Sequence, residues 1–161
     1  MDGSPITFDK KYEGLIAWLR GDSYEKEPPP DKPLFVHQAV NEKIILFAAA
    51  LGFHSGQGPL PLEKKSSRAI GSNIFNNQHD LEYVYTFALA HEKDVNVLSD
   101  TDEARAIRIK CFEEYANRGF QQLESLRTEP RNPVELLVDM IMKVRQRKET
   151  QDLAQDILDD L

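Results

Sequence analysis

The chain has 161 residues and a formal charge of −7, with 40% hydrophobic and 29% charged residues. One domain is the default at this length, and two would be cramped. An acidic surface repels a phosphate backbone, so broad nonspecific nucleic-acid binding is not expected, although a local basic patch is compatible with the total.

The single cysteine, Cys111, excludes an intrachain disulfide. Residues 1–9 show no charged-then-apolar signal pattern, and the longest strongly apolar stretch, Ile44 to Phe53, is far too short to span a membrane. A reducing cytoplasm is the expected setting.

The first predicted helix runs from Phe8 to Arg20, with Phe8, Tyr12, Leu15, Ile16 and Leu19 on one face, Trp18 at its margin and Gly21 as a stop signal. Residues 22–33 read as a charged loop, because the run Pro28 to Pro30 cannot be helical. The second helix is expected from Leu34 to Gly52. Phe35, Ala39, Ile44, Leu46, Phe47, Ala50 and Leu51 cover most of its circumference, which predicts a central helix buried on several sides. Gly52 is placed at its end, with Phe53 packing back over the last turn.

Residues 54–66 read as loop, broken by Gly56, Gly58, Pro59 and Pro61. A short helix or turn is assigned to Ser67–Phe75. A third helix follows from Asn77 to His91, with Leu81, Val84, Tyr85, Ala88 and Leu89 inward. Val95, Val97 and Leu98 form an apolar connector, the only candidate strand.

The fourth helix starts after a Ser99 or Thr101 cap, with Asp102 and Glu103 in its first turn, and runs to Arg127. Ile107, Cys111, Phe112, Tyr115, Phe120, Leu123 and Leu126 supply its stripe. Gly119 inside it costs about 1 kcal/mol relative to Ala, which points to a close helix crossing there. Asn132-Pro133 opens a fifth helix to Lys148, with Val134, Leu137, Met140, Ile141 and Val144 inward. Leu153, Ile157, Leu158 and Leu161 lie at helical spacing among acids in the last residues.

The expected fold is therefore all-α: a single helical domain over residues 1–148, a bundle of about five main helices around the second, without a substantial sheet. Residues 149–161 are read as an acidic amphipathic tail.

No catalytic or metal motif emerges. The four histidines, His37, His54, His79 and His91, show no ligand spacing, and His54 and His91 suit helix C-termini. Cys111 on an apolar stripe reads as a buried structural thiol. Glu113-Glu114 and Asp159-Asp160 are neighbours that point about 100° apart on a helix, so they read as solvated faces. Gly52, Gly56 and Gly58 match neither phosphate-loop spacing. Neither a catalytic residue, a cofactor site nor a metal site is assigned.

Three basic clusters remain. Lys64, Lys65 and Arg68 flank Ser66-Ser67 and offer a candidate phosphate or DNA contact. Arg105, Arg108 and Lys110 are placed on the exposed side of the fourth helix. Lys143, Arg145, Arg147 and Lys148 end the fifth, where cations suit the dipole.

Lys43 to Leu62, KIILFAAALGFHSGQGPLPL, resembles the signature of a small accessory family of bacterial DNA phosphorothioation (Dnd) systems, labelled DNA phosphorothioation-associated protein 4. Phe87 to Leu98 and Ile109 to Leu126 are similar to it as well, the latter through EEYAN followed by Gly and a leucine stripe. The resemblance covers roughly residues 8–145, leaving out the Pro28–Pro30 loop and the tail after Lys148.

It implies a setting in which enzymes replace a non-bridging phosphate oxygen of DNA with sulfur and companion proteins restrict unmarked DNA. No catalytic motif of that family transfers to these residues. The expectation is a non-enzymatic accessory protein of a defence system, acting on other proteins of that system through Leu51 and Phe53 or through Leu153, Ile157 and Leu158. The alternative is DNA contact through Lys64, Lys65 and Arg68. A homo-oligomer fits either reading, and an enzyme would need His, Asp or Glu residues to converge in a pocket.

Overall fold

A computed structural model describes residues 5–22, 40–71, 78–127 and 132–142. Among the described residues the regular structure is helical apart from one two-stranded pairing and one isolated bridge, between Asp9 and Lys65. In order it forms β1 (Pro5–Ile6), α1 (Glu13–Arg20), α2 (Val40–His54), β2 (Ile70–Gly71), α3 (Gln78–Glu92) and α4 (Asp102–Leu126). A fifth helix, α5, includes residues 133–142. The all-α expectation holds.

The first helix starts later than the periodicity predicts. Thr7 and Phe8 are extended, and Asp9 caps a 3-10 turn at Lys10–Tyr12 that leads into α1. The reason is tertiary. The Phe8 carbonyl accepts from the Ser66 N–H at 2.8 Å, and the Lys10 N–H donates to the Lys64 carbonyl at 2.7 Å. A helix starting at Phe8 would need that same carbonyl for its first turn. Gly21 ends α1 as expected, in the left-handed conformation.

The expected element at Ser67–Phe75 is not helical where it is described. Ile70 and Gly71 pair antiparallel with Ile6 and Pro5, while residues 72–75 lie outside the described residues. Conversely, Val95–Leu98, the one segment read as a candidate strand, is a 3-10 turn capped by Asp94. Phe35, Ala39, His37, the Pro28–Pro30 loop, Val144 and the tail are also outside the described residues.

The fold is organised by the crossing of α2 and α4. A Cβ on Gly119 would lie 1.8 Å from the Ala48 carbonyl oxygen, and one on Gly52 would lie 2.1 Å from that of Tyr115. The two helices touch backbone to backbone, each offering a glycine where the other's main chain passes. Ala48, Ala49 and Ala116 are fully buried around this contact. The close crossing expected at Gly119 is thus present. Gly52, expected to end α2, is instead an interior position whose missing side chain admits α4, and the helix continues to His54.

The core surrounds this crossing. Phe112, Phe120, Leu123, Ile44, Ile45, Leu15 and Leu19 are fully buried. Each such side chain contributes about 1.5–3 kcal/mol by leaving water. Leu46 and Phe47 are only half-buried, because Ile44, Ile45, Ala48 and Ala49 occupy the inner face. Phe53 packs tilted on Phe87, with ring centroids 4.9 Å apart, and edge-on to Tyr115 at 5.2 Å, closing one end of the core.

Two helix faces differ from their expected orientation. In α4, Ile107 is exposed while Arg108 is buried. In α5, Leu136 is buried, whereas Val134 and Ile141, expected inward, are exposed. The Asn132 cap is present: its side-chain oxygen accepts from the Glu135 N–H at 3.0 Å. The Thr101 cap of α4 is present too, accepting from the Ala104 N–H at 3.2 Å.

Candidate functional site

Away from α2, α4 carries a row of polar residues that clamps the loop before β2. Glu113, placed on a solvated face by its sequence, is buried at 3% exposure. One carboxylate oxygen accepts from the Thr7 N–H at 2.7 Å and the other from Lys65 Nζ at 3.0 Å. Asn117, fully buried, donates from Nδ2 to the carbonyls of Leu60 and Pro61 at 3.1 and 2.9 Å. Arg118 Nε donates to the Gly58 carbonyl at 3.1 Å, and the Leu60 N–H donates to the Glu114 carbonyl at 3.0 Å.

The N-terminal segment grips the same loop from its other side. Buried Asp9 accepts from the Glu63 N–H at 2.7 Å, and buried Glu13 accepts from the Ser66 hydroxyl at 2.6 Å. Lys11 donates to Glu63 at 2.8 Å, and this bond holds its ammonium above its ordinary pKa.

The clamped loop stands off the exposed side of α4 and leaves a cleft of about 780 Å³ between them. Its apolar lining is Pro61 and Leu62 from the loop with Ala106 and Ile109 from α4. Three cations, Lys65, Arg105 and Lys110, share it with three carboxylates, Asp102, Glu113 and Glu114. Lys65 is paired with Glu113, and Arg105 with Asp100 at 3.0 Å and Asp102 at 3.1 Å. Lys110 has no ion-pair partner among the described residues.

Two of the basic clusters read separately in the sequence therefore meet here in part. Lys65 comes from the first, Arg105 and Lys110 from the second. Arg108 does not join them. Its guanidinium is buried at 1% exposure, donates to the carbonyls of Val97 and Ser99, and lies 4.5 Å over the Tyr85 ring. It fastens the 95–99 connector to α4.

Lys64 and Arg68 are exposed and do not line the cleft. Of the two hydroxyls between them, that of Ser66 is committed, since it donates to Glu13 and accepts from the Arg68 N–H at 3.0 Å. Lys65 and Ser66 are thus engaged within the chain, while Lys64, Ser67 and Arg68 are exposed. Leu51 and Phe53 are half-buried and packed against the core. Leu153, Ile157 and Leu158 fall outside the described residues.

Cys111 is buried, and loss of hydration, with the charges of Glu92 and Glu114, pushes its thiol up to about 12. That is the opposite of a nucleophilic thiolate. His54 and His91 do sit in the last turns of α2 and α3, and His91 Nδ1 lies 3.3 Å from the Tyr115 hydroxyl. Among the described residues, no group of three His, Cys, Asp or Glu side chains is arranged to hold a metal ion, and no helix is long and apolar enough to cross a membrane.

The reading of the sequence missed Glu113, Asn117, Arg118 and Arg108. A signal was present for two of them. Glu113 and Asn117 stand four apart on the flank of a stripe already crowded by Phe112, Ala116, Gly119 and Phe120. A helix buried that widely turns flanking polar residues inward.

No curated protein and no solved structure matches the chain. The family model described as DNA sulphur modification system-associated protein 4 matches residues 37–159. The match omits α1 and the N-terminal segment but includes the tail, which the resemblance had left out. Over more than half its length the chain carries the pattern of that model, and it belongs to the DNA sulphur modification system-associated protein 4 family.

Proposed function

We propose that the protein serves a DNA sulphur modification system as a non-enzymatic adaptor within bacterial defence, docking another protein of that system in the cleft beside α4. One observation carries this reading: the cleft combines apolar side chains, Pro61, Leu62, Ala106 and Ile109, with three cations and three carboxylates. A mixed apolar and charge-balanced lining suits a protein partner. A surface for DNA needs an uncompensated positive field, because affinity there comes from neutralising phosphates. Two of the three cations in the cleft are already neutralised by carboxylates, and the whole chain is acidic.

The DNA reading through Lys64, Lys65 and Arg68 keeps support from the exposure of Lys64 and Arg68. It loses support from the pairing of Lys65 and the engagement of Ser66. Affinity capture of the tagged chain from cells expressing the system, with and without nuclease, separates the two. The adaptor reading expects a system protein to be retained at the same level after nuclease. Loss of every partner on nuclease treatment would favour DNA as the bridge.

A further inference from the structure

The loop that walls the cleft beside α4 has few main-chain groups left to offer. The Leu60 N–H donates to the Glu114 carbonyl, and the carbonyls of Leu60 and Pro61 accept from Asn117. The Glu63 N–H donates to Asp9, the Lys64 carbonyl accepts from the Lys10 N–H, and the Ser66 N–H donates to the Phe8 carbonyl. Pro61 has no N–H to give. The other wall is the side of α4, whose peptide groups bond along its own axis. A partner strand laid in the cleft would find no continuous edge to pair with, so an occupant is recognised through its side chains.

The charges of the lining say which side chains fit. Lys65 is held by Glu113, and Arg105 by Asp100 and Asp102. Both carboxylate oxygens of Glu113 are in use, on the Thr7 N–H and on Lys65. Lys110 and Glu114 remain, with no ion pair among the described residues. They stand four apart on α4, with Cβ atoms about 5–6 Å from each other, yet they do not pair. Lysine before glutamate is the weaker order for such a pair, so one cation and one carboxylate are open to a partner. From Asp102 to Glu114 the cleft follows about three turns of α4, with Pro61, Leu62, Ala106 and Ile109 as its apolar part. An element that offers an apolar stripe flanked by opposite charges one turn apart, with its own main chain satisfied, is an amphipathic helix.

We infer, resting on the docking reading above, that the cleft takes an amphipathic helix of a partner protein. Its apolar stripe packs on Pro61, Leu62, Ala106 and Ile109, a carboxylate of the helix meets Lys110, and a cation meets Glu114. Lys110 and Glu114 are then the specificity determinants of the interface. They select the helix and fix its direction, because the same helix reversed would set like charge against like.

The probes are the purified proteins of the same DNA sulphur modification system, each titrated against the full chain and its variants. One of them should bind, and Ala106→Trp should abolish that binding. Lys110→Glu and Glu114→Lys should each weaken it at least about ten-fold, with unchanged helical circular dichroism, while Lys110→Arg keeps it. Zero-length carbodiimide coupling of the complex should join Lys110 to an Asp or Glu on a helical segment of the partner. Reversing that acid to Lys should restore binding to Lys110→Glu. Loss of binding in Ala106→Trp with wild-type affinity in both charge variants would overturn this inference and leave the docking reading standing. Coupling of Lys110 to an extended segment, or to no acid of the partner, would overturn it as well. Binding that is indifferent to Ala106→Trp would remove the docking reading and this inference with it.

Discussion

Where α4 meets α2, the contact is dry and made of small residues. Gly52 and Gly119 let the main chains touch, and buried alanines fill the remaining space. Where α4 meets residues 5–13 and 58–66, packing of Phe8 and Tyr12 on Phe120 is joined by a buried polar seam, in which Glu113 and Asn117 hold Thr7 and the loop while Asp9 and Glu13 hold the loop from its other side. One helix thus uses two adhesives. The first tolerates no added atom, because backbone cannot step aside. The second tolerates changes of volume but not the loss of a hydrogen-bonding group, since a buried polar atom without a partner is costly. The polar seam also shapes the cleft, because it holds the loop that walls it.

The largest effect that would break this contrast is at the crossing. Helix propensity alone favours Gly119→Ala by about 1 kcal/mol. The 1.8 Å approach to the Ala48 carbonyl reverses that sign. A net loss of about 3 kcal/mol, at the upper end of overpacking costs, is expected in chemical denaturation. A stabilised variant would mean that the helices are farther apart than described.

The next effect is at the seam. Glu113→Ala strands the Thr7 N–H and should cost about 1–3 kcal/mol. Glu113→Gln keeps an acceptor for that N–H and gives up only the exposed Lys65 pair, so it should cost clearly less. Equal losses for the two variants would show that charge, not hydrogen bonding, holds the loop.

Cys111 gives an effect confined to alkaline pH. Its folded pKa, about 12, is above the ordinary thiol value of 9.0. Below pH 9 both folded and unfolded states keep the proton and stability is unaffected. Between pH 9 and about 12 the unfolded state releases it first, so stability falls with rising pH by up to about 1.4 kcal/mol per unit. Cys111→Ala should flatten the stability curve in that window and leave it unchanged below. The native thiol should also label slowly at neutral pH and rapidly after denaturation. The smallest effect is expected for Lys64→Ala with Arg68→Ala, exposed side chains whose removal should leave stability within about 0.5 kcal/mol.

The dry contact was largely legible in the sequence, and the seam was not. A glycine inside a strongly patterned helix announces a close approach by its own cost, so Gly119 was readable, while Gly52 was mistaken for a stop because an apolar helix followed by loop residues looks the same either way. The seam joins residues far apart in the chain, such as Thr7 and Glu113, and a lone carboxylate carries no mark of the N–H it will meet. Arg108 was misplaced for a related reason. Its partners are the backbone carbonyls of Val97 and Ser99, and carbonyls have no sequence signature. In α5 the expected inward set, Val134, Leu137, Met140, Ile141 and Val144, left out Leu136, which is buried, and included Val134 and Ile141, which are exposed.

The central claim, that the cleft beside α4 docks a protein, is tested most directly by filling it. Ala106 is exposed on α4 and lines the cleft, so Ala106→Trp obstructs it without entering the core. In capture experiments with the proteins of the system, this variant should lose its partner while keeping wild-type helicity and thermal stability, and the Lys64→Ala, Arg68→Ala variant should keep it. Full retention of the partner by Ala106→Trp, with loss in the Lys64→Ala, Arg68→Ala variant, would contradict the account and move the functional surface to the basic loop.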